Sequence, residues 1–447
     1  MIDLTVLTEY GPVRGFRADG CSEFLGIPFA KPPVGELMFK HPVKPEPWAD
    51  VLEASRGSAN PVQGPSSFGP KCQNLDCLYL NVFVPEGLEG PLPVMVWIYG
   101  GSYSHGGIGL VEDGRDELTY DMALFARETG TIVVTFNYRL NLYGFLPLTE
   151  FGDRFDANNG LYDQIMALRF VKDNIASFGG DPDNVTVFGQ SAGGACILAL
   201  MTMPEAKGLF VRSIVQSACI EHFFTARESR ANTRRYLKIA GIDPQHPEAL
   251  FSLSKDAVSE INAKFEKAML LSWDLRCAFS PIIDGVTLRE EPKLAVCQSE
   301  LPMMIGNNSD EACTFLHGVP LFLYPIVARL MRFPVPKGSE KVSKRVINGM
   351  TDHIYKRPMR EILKDYRGPA WKYEYQYVSA AERAAGLGCY HASELAVMFS
   401  WSTVRELNDP ETLRVGRLLR QYWGTFAHNG DPGWENWGKA GVTKEIN

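Results

Sequence analysis

The chain has 447 residues, 45% hydrophobic and 22% charged, ordinary globular values with ample material for a core. A net charge of −7 without any Lys/Arg run argues against a nucleic-acid partner, and no apolar stretch is long enough to span a membrane. Met1 to Gly15 lacks the basic start and apolar core of a signal peptide, and the nine cysteines show no C-x-x-C spacing for zinc, so the expectation is a cytoplasmic protein without metal or cofactor.

Residues 1–60 scatter Gly and Pro steadily, which predicts short antiparallel strands joined by turns and then an extended loop. Cys72 and Cys77, separated by four residues, could close a small disulfide loop. Residues 78–85 alternate apolar and polar side chains as a half-buried strand does, whereas 93–100 and 131–138 are dense apolar runs, the signature of strands covered on both faces. Ile165, Leu168, Val171 and Ile175 keep helical spacing over 162–178, and Gly179-Gly180 stops that helix. Further strands are predicted at 185–188, 213–217, 303–306 and 371–377, with helices at 226–240, 245–268, 339–366 and 410–428. Strands alternating with helices imply a mainly parallel sheet flanked by helices, in one domain spanning 1–447 with helical insertions near 222–275 and 316–366.

Chemistry concentrates where Val185–Phe188 runs into Gly189-Gln190-Ser191-Ala192-Gly193 and then into a helix-forming run. Strand, G-x-S-x-G and helix put a serine on a tight, strained turn with its Oγ above the sheet at a helix N-terminus. A serine hydroxyl needs a base to take its proton and an acid to orient that base. Asp310 or Glu311, in the turn leaving 303–306, could be the acid, and His391, on the glycine-rich loop after 371–377, is well placed as the base. His317, His353 and His428 are better explained as surface, core or helix-end residues. Tyr99-Gly100-Gly101-Ser102 follows a core strand, so Gly101 and Ser102 could donate N–H groups to a developing oxyanion, with Ala192 a third donor.

These stretches, with FLGIPFAKPPVGELMF at 24–39, LDCLYLNVFVP at 75–85, FNYRLNLYGFL at 136–146 and YHASEL at 390–395, resemble the type-B carboxylesterase/cholinesterase family of α/β-hydrolases. The resemblance runs in order along almost the whole chain. It implies an α/β-hydrolase fold, with a central, mostly parallel twisted sheet, flanking helices and helical cap insertions. Carried position by position, it makes Ser191 the nucleophile, Glu311 rather than Asp310 the acid, and His391 the base. It also assigns Gly101, Ser102 and Ala192 to the oxyanion hole, Ser217, Gly100 and Gln190 to the surroundings of the triad, and Arg139 with Asp163 to a buried ion pair.

Several positions depart from the family pattern. Ser102 replaces a third oxyanion glycine or alanine and narrows the pocket, which predicts weak activity on esters of tertiary alcohols. Met38 and Leu75 stand where the family usually pairs arginine with glutamate, and the partner of the cysteine at 77 falls near Pro61, so the family disulfide is expected to be absent. The activity implied is that of a serine carboxylesterase acting on short- to medium-chain or aryl esters. Amidase, lactonase or lipase chemistry would use the same triad, and a non-catalytic adhesion module is the remaining alternative. A small ester is the expected partner, and the chain is expected to be a monomer or dimer. The apolar insertions, among them Phe223, Phe224, Met269, Trp273, Phe315 and Phe399, belong either to a hydrophobic pocket or to the core.

Overall fold

A computed structural model describes residues 4–64, 72–112, 117–272, 276–316, 318–330, 333–400, 409–438 and 441–447. Trp273 and His317 therefore lie outside the described residues.

Ten strands build the central sheet. In chain order they are β1 (Phe16–Ala18), β2 (Cys21–Pro28), β3 (Tyr79–Pro85), β4 (Leu92–Ile98), β5 (Ile132–Phe136), β6 (Gly180–Gln190), β7 (Arg212–Gln216), β8 (Met303–Asn308), β9 (Ala370–Tyr375) and β10 (Thr443–Ile446). Their spatial order is β1-β2-β3-β5-β4-β6-β7-β8-β9-β10. The first four in that order pair antiparallel and every pairing from β5 onward is parallel. All residues of β4 and β5 are buried, as their unbroken apolar runs predict for strands covered on both faces. Thr5–Leu7, Pro12–Arg14 and Leu52–Glu53 form a separate small sheet from the strand-and-turn scatter of the N-terminal region.

Two helices position the chemistry: α1 (Asn159–Asn174) and α2 (Ala192–Leu200), the latter buried at every residue directly after β6. The sequence places one helix over 245–268; the structure divides it into a short 3-10 turn, Pro247–Ser252, and α4 (Lys255–Leu270), because Ser254 accepts from the Ala257 N–H and caps a new start. The preceding α3 (Ala226–Ala240) has the expected bounds, set by a Thr225/Glu228 capping box and by Gly241 at φ 70°.

The predicted helix over 339–366 is likewise broken. It consists of α5 (Val342–Thr351), a wider π turn at Asp352–Lys356, and α6 (Arg357–Asp365). Pro358 supplies no N–H to the Ile354 carbonyl, and the backbone widens there. The C-terminal α7 (Pro410–Asn429) begins at an Asp409 cap and ends at Gly430. Besides the main core, a small cluster around Ala312, Leu316, Tyr324, Val346 and Met350 packs the 312–350 segment onto itself.

Candidate active site

Ser191 stands at the junction of β6 and α2 with φ 58° and ψ −123°, a conformation side chains other than glycine rarely adopt. Close packing holds it there. A Cβ on Gly193 would lie 2.1 Å from the Ile98 carbonyl oxygen, so only glycine lets α2 approach β4 this closely. The Ser191 N–H donates to the Gln216 carbonyl at 2.8 Å, tying the turn to the end of β7. Alanine at Gly101, whose φ is 109°, would meet the His105 carbonyl at 2.1 Å, which keeps the loop after β4 folded under its own backbone. Among the described residues the N–H groups of Gly101 and Ser102 have no backbone acceptor, and that of Ala192, at the first turn of α2, has none within its helix.

Glu311 and His391 arrive on the loops that follow β8 and β9. Nε2 of His391 lies 2.9 Å from Oγ of Ser191, and Nδ1 lies 2.6 Å from Oε2 of Glu311. A carboxylate only accepts, so Nδ1 carries the proton and Nε2 is left to accept from the serine hydroxyl. Glu311 is fully buried, and its other oxygen accepts from Ser217 Oγ at 2.5 Å and from the Asn308 N–H at 2.7 Å. Burial disfavours the imidazolium, but the charge and hydrogen bond of Glu311 more than offset it and raise the His391 pKa above its ordinary value. The Gln190 amide donates toward Nε2 at 3.2 Å, and the rings of Tyr355 and Phe315 lie 5.1 and 5.7 Å from the imidazole.

The neighbouring acid, Asp310, points elsewhere. It accepts from Lys344 Nζ, from Ser309 Oγ at 2.9 Å and from the Cys389 N–H at 3.3 Å, while its own N–H donates to the Cys389 carbonyl at 3.0 Å. Asp310 thus clasps the loop that presents His391. Burial raises its pKa, but the hydrogen bond and charge of Lys344, with the Ser309 and Cys389 hydrogen bonds, together outweigh it and hold the carboxyl below the usual carboxylate range.

Gly100 lies under Ser191, where a Cβ would come 2.9 Å from that of the serine. Arg139 and Asp163 form a buried bidentate pair, Nε to Oδ2 at 2.8 Å and Nη2 to Oδ1 at 2.7 Å, with the Arg139 guanidinium also donating to the Met38 carbonyl at 3.2 Å. This pair braces the loop after β5 against α1. All nine cysteines are free, Cys72 and Cys77 included. Phe399 packs on Trp97 and Phe188 and Met269 is buried in the main core, whereas Phe315 stands beside His391.

Sequence reading leaves out Asn308, Tyr355 and Glu394. The Asn308 side chain donates to Glu394 at 2.6 Å while its backbone N–H holds Glu311. Burial first, and then the charge of Glu311, push the Glu394 carboxyl up to about 7. Glu394 lies inside the stretch 390–395 that carries the family resemblance and Asn308 in the turn that leads to Asp310 and Glu311, the one signal that could have marked them. Among the described residues no His, Cys, Asp and Glu set could hold a metal ion, and no helix is long and apolar enough to cross a membrane.

The model of the carboxylesterase family matches residues 2–321 and 328–445. The para-nitrobenzyl esterase of Bacillus subtilis is 35% identical over 97% of this chain and 91% of its own length. Liver carboxylesterase 1 of Mus musculus is 31% identical over 96% and 85%. A solved para-nitrobenzyl esterase superposes with a TM-score of 0.86 at 31% identity, covering 100% of this chain and 96% of the other. A Geobacillus stearothermophilus carboxylesterase superposes with a TM-score of 0.84 at 30% identity, covering 99% and 96%.

Proposed function

The chain belongs to the carboxylesterase family and is a carboxylic ester hydrolase, and from that premise we propose that Ser191 is its nucleophile, His391 its general base and Glu311 the acid that orients the base. The observation that carries this reading is the unbroken chain of contacts from Ser191 Oγ to His391 at 2.9 Å and from His391 to Glu311 at 2.6 Å. Ser191 Oγ attacks the ester carbonyl as Nε2 takes its proton, and the developing oxyanion accepts from the N–H groups of Gly101, Ser102 and Ala192. His391 then returns the proton to the departing alcohol, leaving the acyl group on Oγ. Water, activated by the same imidazole, releases the acid.

The insertions at 222–275 and 316–366 form the cap in this reading, with Phe315 and Tyr355 bordering the acyl site beside His391. Short- to medium-chain and aryl esters are the substrates we assign. With Pro61 near the place of the family's disulfide partner for Cys77, a reducing compartment is the one we assign.

The test is hydrolysis of para-nitrophenyl acetate, butyrate, octanoate and palmitate by wild type and by Ser191→Ala. Turnover should peak at the shorter chains and fall in the variant by a factor on the order of 10⁶. A variant as active as wild type would overturn the assignment of Ser191, and a preference for palmitate would overturn the chain-length reading.

A further inference from the structure

Next to the triad the fold gathers sulfur atoms that ester hydrolysis does not use. Sγ of Cys219, two residues past Ser217, lies 3.8 Å from Oγ of Ser191. Cys277 comes from the far side of the insertion and is brought opposite it by His222, whose backbone N–H donates to the Cys219 carbonyl at 3.2 Å. Nδ1 of His222 lies 3.2 Å from Sγ of Cys277 and accepts the Cys277 N–H at 3.2 Å, so it is an unprotonated acceptor aimed at that sulfur. The His222 carbonyl accepts in turn from Ser280 Oγ, which fixes the turn between the two cysteines. Any route that brings an ester to Ser191 brings a small solute to Cys219.

The pair is chemically uneven. The neighbouring Cys277 thiol, opposed by burial, holds the Cys219 thiol below its ordinary pKa, and Cys219 in turn raises Cys277. Burial instead pushes Cys21 and Cys196 up to about 12, which leaves those thiols inert. A thiolate in contact with a protonated thiol that has its own base is the arrangement of an attacking and a resolving cysteine.

We propose that Cys219 and Cys277 form a hydroperoxide-sensitive dithiol beside Ser191, oxidised to a disulfide that stops ester hydrolysis and restored by a thiol reductant. The Cys219 sulfur attacks one peroxide oxygen and the O–O bond breaks, giving a sulfenic acid and hydroxide, which takes up a proton to become water. Cys277 then attacks the Cys219 sulfur, its proton passes by way of His222 to the departing hydroxide, and a second water leaves. Two thiols and one hydrogen peroxide become one disulfide and two waters. The new bond draws the Cys219 sulfur away from Ser191 and ties the segment carrying Ser217, which holds Glu311, to Cys277.

The oxidation itself is independent of which bond the enzyme cleaves; the loss of turnover rests on Ser191 being the nucleophile. Wild type, Cys219→Ala and Cys277→Ala are each treated with hydrogen peroxide, quenched with catalase, and assayed on para-nitrophenyl butyrate before and after dithiothreitol. Activity is referred to that of the same untreated variant, and non-reducing peptide maps are recorded in parallel. Wild type is expected to lose more than tenfold of its activity, to regain it with dithiothreitol, and to show a peptide joining residues 219 and 277. Cys277→Ala should be inactivated without full recovery, as Cys219 has no resolving partner, and Cys219→Ala should resist. Absence of the 219–277 linkage overturns the dithiol. Linkage without loss of activity, or equal inactivation of Cys219→Ala, overturns the gating. If Ser191→Ala keeps its esterase activity while the linkage still forms, the failure lies in the catalytic assignment and not in the dithiol.

Discussion

Ser217 donates its hydroxyl to Glu311 at 2.5 Å, occupying the carboxylate oxygen that His391 leaves free. With the Asn308 N–H on that same oxygen, the carboxylate cannot rotate, and the imidazole plane is set by it. Ser217→Ala removes one hydrogen bond to a buried charge, a loss of about 1.5 kcal/mol. Expressed in the transition state, where the imidazolium forms, this lowers kcat about tenfold and leaves KM little changed. Steady-state kinetics on para-nitrophenyl butyrate, with circular dichroism as the check on folding, measures it. An unchanged kcat would show that Asn308 alone suffices to fix the carboxylate.

With His391 as the proposed base, the acid limb of the pH–rate profile is expected to report its titration. The reaction needs its neutral form, so kcat/KM falls as pH drops through a pKa that Glu311 raises above the ordinary histidine value against the effect of burial. Glu311→Gln removes the charge and should move that limb to lower pH while reducing kcat. A limb that stays in place would mean another group controls it. The same shift has a sign for stability: a raised folded pKa contributes stability that is complete below the unfolded value and is lost as pH rises through the folded one.

Glu394 makes a separate claim on stability. It is fully buried, and its carboxyl titrates at about 7, against an ordinary value of 4.5. The folded protein therefore holds a proton that the unfolded chain gives up, and stability declines as pH rises from about 4.5 to about 7, by on the order of 3 kcal/mol for this group alone. Glu394→Gln, which keeps an acceptor for Asn308, should flatten that decline. Urea midpoints at pH 5 and pH 7.5 decide it; equal slopes for variant and wild type would remove Glu394 from the account.

Ser102 holds φ 57° and carries a side chain where the resemblance expects glycine or alanine, so the third position of the proposed oxyanion loop is both strained and narrowed. Esters of tertiary alcohols, which need width at this point, should be hydrolysed poorly. Ser102→Gly relieves the backbone and empties the space, and tert-butyl acetate turnover should rise relative to ethyl acetate. Brisk tert-butyl ester turnover by wild type would sink this reading of the pocket.

What the sequence determined by itself is mostly local. The β6–Ser191–α2 junction was legible because glycines at 189 and 193 admit only one close strand–helix crossing, and the runs of β4 and β5 because doubly covered strands leave no polar alternation. The bounds of α3 follow from its own capping box and terminal glycine. Tertiary structure decided what depends on residues far apart in the chain. Asp310 and Glu311 are indistinguishable as adjacent acids until Lys344 and the Cys389 backbone claim one and His391 the other. Phe399 reads equally well as pocket or core until the sheet supplies Trp97 and Phe188 beneath it. The widened turn that sets Tyr355 against His391 and the bridging of the Cys219 and Cys277 segments by His222 leave no periodicity to read, because burial and contact between distant segments are properties of the packed chain and are written in no single stretch of it.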